Sequence, residues 1–304
     1  MKILLTGKNG QIGWELAHAL APLGEVIAFD RGGLDLAVPD QIVGAVRSVR
    51  PDVLINAAAY TAVDRAETEP DAAHAVNAAA VAILAEEAKR LHALLIHFST
   101  DYVFDGVKVT PYVEEDRPNP INVYGRSKLA GEQAIRSIDG PHLILRTSWV
   151  YAARGGNFFL TIRRLLREKE EVRVVSDQMG APTSAQALAD VTAELLGRHS
   201  AAGLGDAGGV YHVTTRGYTS WHGFATEIAR LELPDLPNPP RILAIASDQY
   251  PSPARRPGNS CLSNEKLLRC FGIALPQWET CLEACYARLK QSAHKDPGTK
   301  DSGL

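Results

Sequence analysis

Cysteine is scarce and confined to one end of the chain. Cys261, Cys270, Cys281 and Cys285 are its four representatives. None belongs to a Cys-x-x-Cys pair, and Cys281 and Cys285 share a helix face, so buried free thiols in a reducing cytoplasm are expected. No apolar run approaches the ~20 residues that span a membrane. No block of like charge exists and the formal net charge is −3, which argues against nucleic acid as the main partner. There is no internal repeat, no His/Cys cluster with metal-ligand spacing and no Ser-His-Asp order. Met1 leads directly into an apolar strand, so no signal peptide is expected and the reading is cytoplasmic. What the chain does have is bulk: 304 residues, 45% of them hydrophobic, enough for one large α/β domain or two modest ones.

Short, continuously apolar strands alternate with helical spacing through the first half. Strands are expected at 3–6, 26–29, 53–55, 94–98 and 143–145, with helices at 12–20, 39–49 (Pro39 at its first position), 71–91 and 124–137. Strands of this kind belong in a parallel sheet covered on both faces, so the fold class is α/β, a Rossmann-type doubly wound sheet with a smaller C-terminal substrate-binding lobe. The dinucleotide domain is expected over residues 1–150, with later segments returning to it. The second lobe is expected over 151–291, with helices at 157–167 and 184–196, strands at 172–175, 210–213 and 242–245, and a loop at 201–209. A disordered tail is expected over 292–304.

Gly7, Gly10 and Gly13 lie between the first strand and the first helix. Glycine there permits a tight turn and lets backbone approach a pyrophosphate, and the helix N-terminus supplies N–H donors. Asp30 ends the second strand, where a carboxylate can take the ribose hydroxyls of NADH. Arg31 follows, either as a partner for the 2′-phosphate of NADPH or as a solvated turn residue. Asp35 and Leu36 are placed to line the adenine. The small residues after Asn56 make room for the cofactor or pack a helix close to the sheet; spacing alone leaves both open.

Tyr124 and Lys128 lie four residues apart on one helix face. Reduction of a ketone needs hydride at carbon and a proton at oxygen. A phenol supplies that proton if its pKa falls from ~10 toward neutrality, and three units correspond to ~4 kcal/mol of anion stabilisation. Lys128, one turn on, is close enough to supply much of that and to hold the nicotinamide ribose. Thr100, at the C-terminal end of a strand, can hydrogen-bond the carbonyl oxygen. His97, in mid-strand, reads as a core histidine.

These residues resemble those of the extended short-chain dehydrogenase/reductases. Longer strings narrow the likeness: Asn56-Ala-Ala-Ala-Tyr-Thr-Ala-Val-Asp64, Ser99-Thr-Asp-Tyr-Val-Phe-Asp-Gly106, Arg146-Thr-Ser-Trp-Val-Tyr151, Asp177-Gln-Met-Gly-Ala-Pro-Thr183 and Arg256-Pro-Gly-Asn-Ser260. They resemble the dTDP-4-dehydrorhamnose reductase family over about residues 1 to 290. The resemblance implies reduction of a dTDP-4-keto sugar with NADPH or NADH in nucleotide-sugar synthesis for surface glycans. It implies cofactor contacts from Gly10, Gln11, Ile12, Asp30, Asp35, Leu36, Ala59, Tyr60, Thr61 and Phe98. Tyr124 becomes the proton donor, Lys128 the cofactor holder and Thr100 the residue that tunes Tyr124. Thr100, Asp101 and Trp149 meet the dTDP-sugar, joined by Asn157 and by Arg256, which can equally be structural.

Some members of that family hold Mg²⁺ between subunits with glutamates. Glu15 matches one of them, but the other two positions fall near Gln186 and Arg288, and an amide and a cation are poor replacements for hard carboxylate ligands. No metal and a monomer or weak homodimer are therefore expected. Two other readings stand beside this one: a different nucleotide-sugar reductase or epimerase of the superfamily, and a non-catalytic cofactor-binding regulatory subunit.

Overall fold

The structure is a computed structural model that describes residues 1–202, 207–236 and 238–295. Six strands form one parallel sheet in the order Gly209–His212, His142–Thr147, Leu94–Thr100, Val53–Asn56, Lys2–Thr6, Glu25–Phe29. Successive side chains of a strand point to opposite faces, and here both faces are apolar. Ile3, Leu5, Val53, Ile55, Leu94, Ile96, Leu143 and Leu145 pack with Leu16, Leu20, Leu188 and Leu195. Leu4, Leu54, Leu95 and Ile144 pack with Ile42, Val46, Leu84 and Ile135 on the other side. Helices on both faces explain why the strands read as unbroken apolar runs.

Register brings the functional ends together. Thr6 pairs with Asn56, Asn56 with His97 and Thr100 with Thr147, so the C-terminal ends of the central strands share one edge. The chain leaves Lys2–Thr6 for its outer neighbour Glu25–Phe29, then crosses to Val53–Asn56 on the other side. Ligands of open parallel sheets bind where the order reverses in this way.

The expected helix over 71–91 is three pieces. Pro70–His74 and Ala80–Leu91 are α-helical, and Ala75–Ala79 between them is a π-turn. Such turns recur at functional sites, and this one aims Asn77 inward. Its amide donates to the Tyr60 carbonyl at 3.0 Å and to Ser127 Oγ at 3.0 Å, and accepts from the Tyr60 N–H at 2.8 Å. One buried side chain thus ties the Tyr60 loop to the helix Val123–Ile138. That helix comes so close that a Cβ on Gly131 would lie 2.2 Å from the Asn77 carbonyl.

A second core gathers Phe159, Ile162, Leu166, Val172, Val174, Phe224, Ile228, Trp278 and Leu282. It joins the helices Phe158–Glu168, Trp221–Glu232 and Trp278–Lys295 to the parallel pair Glu171–Val175 and Arg241–Ile245. Trp221–Glu232 and Glu265–Phe271 were not expected as helices. Gly223 in the first turn of the former masks its periodicity, although Ser220 caps it by accepting the Gly223 N–H. The last helix runs to Lys295, past the expected start of a disordered tail at 292; residues 296–304 lie outside the described residues. The helix Ala185–Ala202 likewise enters the expected loop at 201–209, of which 203–206 lie outside the described residues. Three cysteines are buried and free as expected, but Cys270 is exposed. No helix among the described residues is long and apolar enough to cross a membrane.

Candidate active site

A cleft of about 1060 Å³ opens at the C-terminal edge of the sheet. The turn Gly7–Gly10 forms its floor at one end. Gly7 has φ +77°, and a Cβ there would lie 2.9 Å from the Ala58 nitrogen. A Cβ on Gly13 would lie 2.1 Å from the Gly7 carbonyl oxygen, so the first helix reaches the loop only without side chains. The helix begins at Gln11 with no side chain capping it, which leaves its first N–H groups directed at the cleft. Gln11 Oε1 is buried without a hydrogen-bond partner. A dinucleotide pyrophosphate fits the backbone donors at this helix start, where Gly7 and Gly10 leave room for it.

Gly7, Gly10, Gln11, Ile12, Asp30, Arg31, Asp35, Leu36, Ala59, Tyr60, Thr61 and Phe98 all line the cleft; Gly13 acts from behind by close packing. Asp30 accepts from the Gly33 N–H at 3.1 Å, and that bond first, then Lys8 at 3.3 Å, holds its carboxyl below the usual range. Lys8 was not anticipated: it places an ammonium beside the carboxylate expected to select NADH. Arg31 pairs with Asp35 at 3.2 Å and is otherwise exposed. Tyr60 donates to Glu69 at 2.7 Å.

At the other end stand Thr100, Asp101, Tyr124, Lys128 and Trp149. Asn122 caps the helix Val123–Ile138 by accepting the Gly125 N–H at 2.7 Å. A Cβ on Gly125 would lie 2.1 Å from the Tyr102 carbonyl oxygen, so the glycine after Tyr124 lets the helix press against the loop beyond Thr100. The Thr100 hydroxyl joins two acids. It donates to Asp101 Oδ1 at 3.0 Å and meets the Tyr124 phenol. Burial pushes the phenol above its ordinary pKa, and the Thr100 contact opposes that rise. Burial pulls Lys128 down to about 8. Asp101 is raised to about 6, first by burial, and its Oδ2 is buried without a partner. This is a set poised for proton transfer, with an orphaned acceptor beside it.

Trp149 adopts φ +47°, rare for a bulky residue and typical of strain retained at functional sites. Its indole stacks on Trp221 at 3.6 Å and 7°. A Cβ on Gly180 would lie 2.4 Å from that indole. Trp221 also lines the cleft and escaped the sequence reading, which had no helix there to place it. Asn157 is elsewhere engaged. It caps the helix Phe158–Glu168 through the Leu160 N–H at 3.1 Å and donates to the Ala152 and Arg154 carbonyls, so its expected substrate contact gives way to a structural role. Arg256 binds Asp64 at 2.8 Å and the Ala254 carbonyl at 3.2 Å, which puts it in the structural alternative.

Glu15, Gln186 and Arg288 do converge, but not as a metal site. Arg288 donates to Glu15 at 3.0 Å and to the Gln186 side-chain carbonyl. A guanidinium sits where a cation would have to bind, and among the described residues no cluster of three or more His, Cys, Asp or Glu can hold a metal. The residues present do not fit Mg²⁺.

Fold and site define a nicotinamide-dependent short-chain dehydrogenase/reductase. The family described as the RmlD substrate binding domain matches residues 1–291. The dTDP-4-dehydrorhamnose reductase of Burkholderia thailandensis is 50% identical over 292 residues, which cover 94% of this chain and 98% of that one. The crystal structure of a dTDP-4-dehydrorhamnose reductase from Clostridium acetobutylicum superposes with a TM-score of 0.89 at 35% identity, over 95% of this chain and 100% of that one. That of the Bacillus anthracis protein, in complex with NADP, gives 0.86 at 35% identity, over 94% and 99%. The chain belongs to the dTDP-4-dehydrorhamnose reductase family.

Proposed function

We propose that the chain reduces the 4-keto group of dTDP-4-dehydro-β-L-rhamnose to give dTDP-L-rhamnose. The observation that carries this is the convergence of Thr100, Tyr124 and Lys128 with the glycine turn in one cleft, in a chain that matches its named relatives along nearly their whole length. NADPH or NADH, when bound, supplies the hydride. Gly7, Gly10, Gln11 and Ile12 hold the pyrophosphate, Asp30 and Lys8 meet the adenosine ribose, and Lys128 holds the nicotinamide ribose. Tyr124 gives its proton to the substrate oxygen, with Thr100 fixing the phenol's direction and Lys128 favouring the anion left behind. Trp149, held between Trp221 and the Gly180 backbone, offers the deoxysugar the edge of its indole. An intact proton-donor set favours turnover over a purely regulatory binding role. The absence of cysteine before Cys261 disfavours the epimerase/reductases that use one in the sugar pocket.

The same reading makes the chain a cytoplasmic enzyme that acts as a monomer or weak homodimer without a bridging metal, because Arg288 already neutralises Glu15. The test is NADPH oxidation at 340 nm with the dTDP-4-keto sugar generated in situ, and NMR of the product. Stoichiometric oxidation with appearance of dTDP-L-rhamnose is expected. Cofactor binding without oxidation would replace this reading by the regulatory one.

A further inference from the structure

His97 interrupts an apolar strand, and its surroundings are more specific than a core position requires. It is fully buried in Leu94–Thr100, on the face that meets the helix Val123–Ile138. Lys128 Nζ donates to the Phe98 carbonyl at 2.7 Å and lies 3.2 Å from His97 Nε2. The other ring nitrogen, Nδ1, lies 3.1 Å from Asn56 Nδ2. Asn56 Oδ1 accepts from the Thr6 hydroxyl at 2.7 Å, and Thr6 Oγ1 accepts from the Ala58 N–H at 3.4 Å. A line of buried polar side chains therefore crosses three strands beneath the cleft, from the lysine to the start of the glycine turn.

We infer that His97 is a positioning residue for Lys128: a neutral imidazole that accepts from the ammonium and sets its direction and its charge. This rests on the roles proposed above for Tyr124 and Lys128. An ammonium only donates, so beside a charged lysine Nε2 must be the acceptor and Nδ1 must carry the hydrogen. That hydrogen needs Asn56 to present Oδ1, which is the amide turned over from its orientation here, with Nδ2 then donating to Thr6 Oγ1. With the amide as it stands here, Nδ2 faces Nδ1, the hydrogen sits on Nε2 and the lysine beside it is a neutral amine. Two hydrogen-bond registers correspond to two charge states of Lys128. Burial, then the Lys128 charge, holds the imidazole neutral. The other charged groups nearby are few. Glu132, on the same helix, favours the ammonium but is shared with Arg146 of His142–Thr147. Asp101 acts on Tyr124, and Asn77 from the π-turn is uncharged.

The test measures NADPH affinity by fluorescence between pH 6 and 9, with ring-nitrogen NMR of the wild-type chain. Wild-type affinity is expected to fall through a midpoint near 8, where Lys128 loses its proton. Loss of one hydrogen bond to a charged group in His97→Met should lower that midpoint by ~1 pH unit, with near-normal affinity retained at pH 6. His97→Gln, whose carbonyl can accept, should restore it. The NMR should show Nδ1–H at pH 6.5 and transfer of the hydrogen to Nε2 above the midpoint. A folded His97→Met chain with an unmoved midpoint would overturn the inference, since a merely structural histidine would weaken binding at every pH. If that variant does not fold, an Nε2–H ring at pH 6.5 overturns it. Wild-type chain that never oxidises NADPH with the keto sugar removes the proposed function, and the NMR still decides His97.

Discussion

Single side chains in the cleft carry opposed demands. Tyr124 must give up a proton, yet burial alone makes the phenol a weaker acid. What opposes burial here is the Thr100 hydroxyl, while the Asp101 charge adds to the rise. Removal of the phenol oxygen should spare cofactor binding and cost at least ~100-fold in turnover, the lower range for a general acid. Tyr124→Phe assayed for kcat and for the NADPH dissociation constant checks this, and near-normal kcat would sink the assignment. Asp101 shows the converse tension between site and stability. Its folded pKa of about 6 lies above the ordinary 3.8, so the native state holds a proton that the unfolded chain has lost between those values. Stability must therefore decline as pH rises from about 4 to 6 and stay lower above that. Asp101→Asn should abolish the decline and stabilise the chain at pH 7.5 by up to ~3 kcal/mol while impairing turnover. Urea unfolding of both proteins at pH 4, 6 and 7.5 reads the difference directly. At the adenosine end, Asp30 suits a free 2′-hydroxyl and Arg31 a 2′-phosphate. Asp30→Ala should weaken NADH more than NADPH and Arg31→Ala the reverse, as measured by the two dissociation constants. Equal losses would show that the two side chains point away from the ribose.

Elements explain which of these residues could be read in advance. The strand ends and the glycine turn were legible because their chemistry is local: apolar runs fix the strands, and Gly7, Gly10 and Gly13 fall at a strand-to-helix junction. Tyr124 and Lys128 were legible because helical spacing alone puts them on one face. Trp221, Asn77 and Lys8 were not. Each acts through a contact between segments far apart in sequence, and each belongs to a turn or helix whose local pattern is weak. Asn157 failed for the opposite reason: it sits in a suggestive place, but its amide is consumed by a helix cap. The Trp149 platform shows how such contacts work together. A strained backbone presents the indole, Trp221 stacks on one side of it, and Gly180 leaves just enough room. Gly180→Ala would place a methyl 2.4 Å from the ring, so the indole must shift. The expected result is a KM for the sugar nucleotide raised by up to ~10-fold, the scale of one aromatic contact, with NADPH affinity unchanged. An unchanged KM in a folded Gly180→Ala protein would mean that Trp149 does not contact the sugar.

At the scale of the molecule, the sheet and the second core are tied by residues from opposite ends of the chain. Glu15 lies on the first helix, Gln186 on Ala185–Ala202 and Arg288 on Trp278–Lys295. The first of these is nearly buried, with its side chain 4% exposed, and its carboxylate meets the Arg288 guanidinium at 3.0 Å. A buried carboxylate needs a positive or donating partner, and here the chain's own Arg288 is that partner. The consequence is independence from divalent metal: EDTA should leave both the rate and the melting temperature unchanged, and Mg²⁺ should raise neither. Removing the guanidinium is a different matter, because it strands the carboxylate. Arg288 is itself 41% exposed, so solvent moderates the loss, and Arg288→Met should cost on the order of 1–2 kcal/mol. In a chain of this size that lowers the melting temperature by roughly 1.5–3 °C. Arg288→Met with Glu15→Gln should recover much of it, since the double variant leaves no charge to strand. A melting temperature that falls with EDTA in the wild-type chain would show that a metal, and not Arg288, joins the two ends.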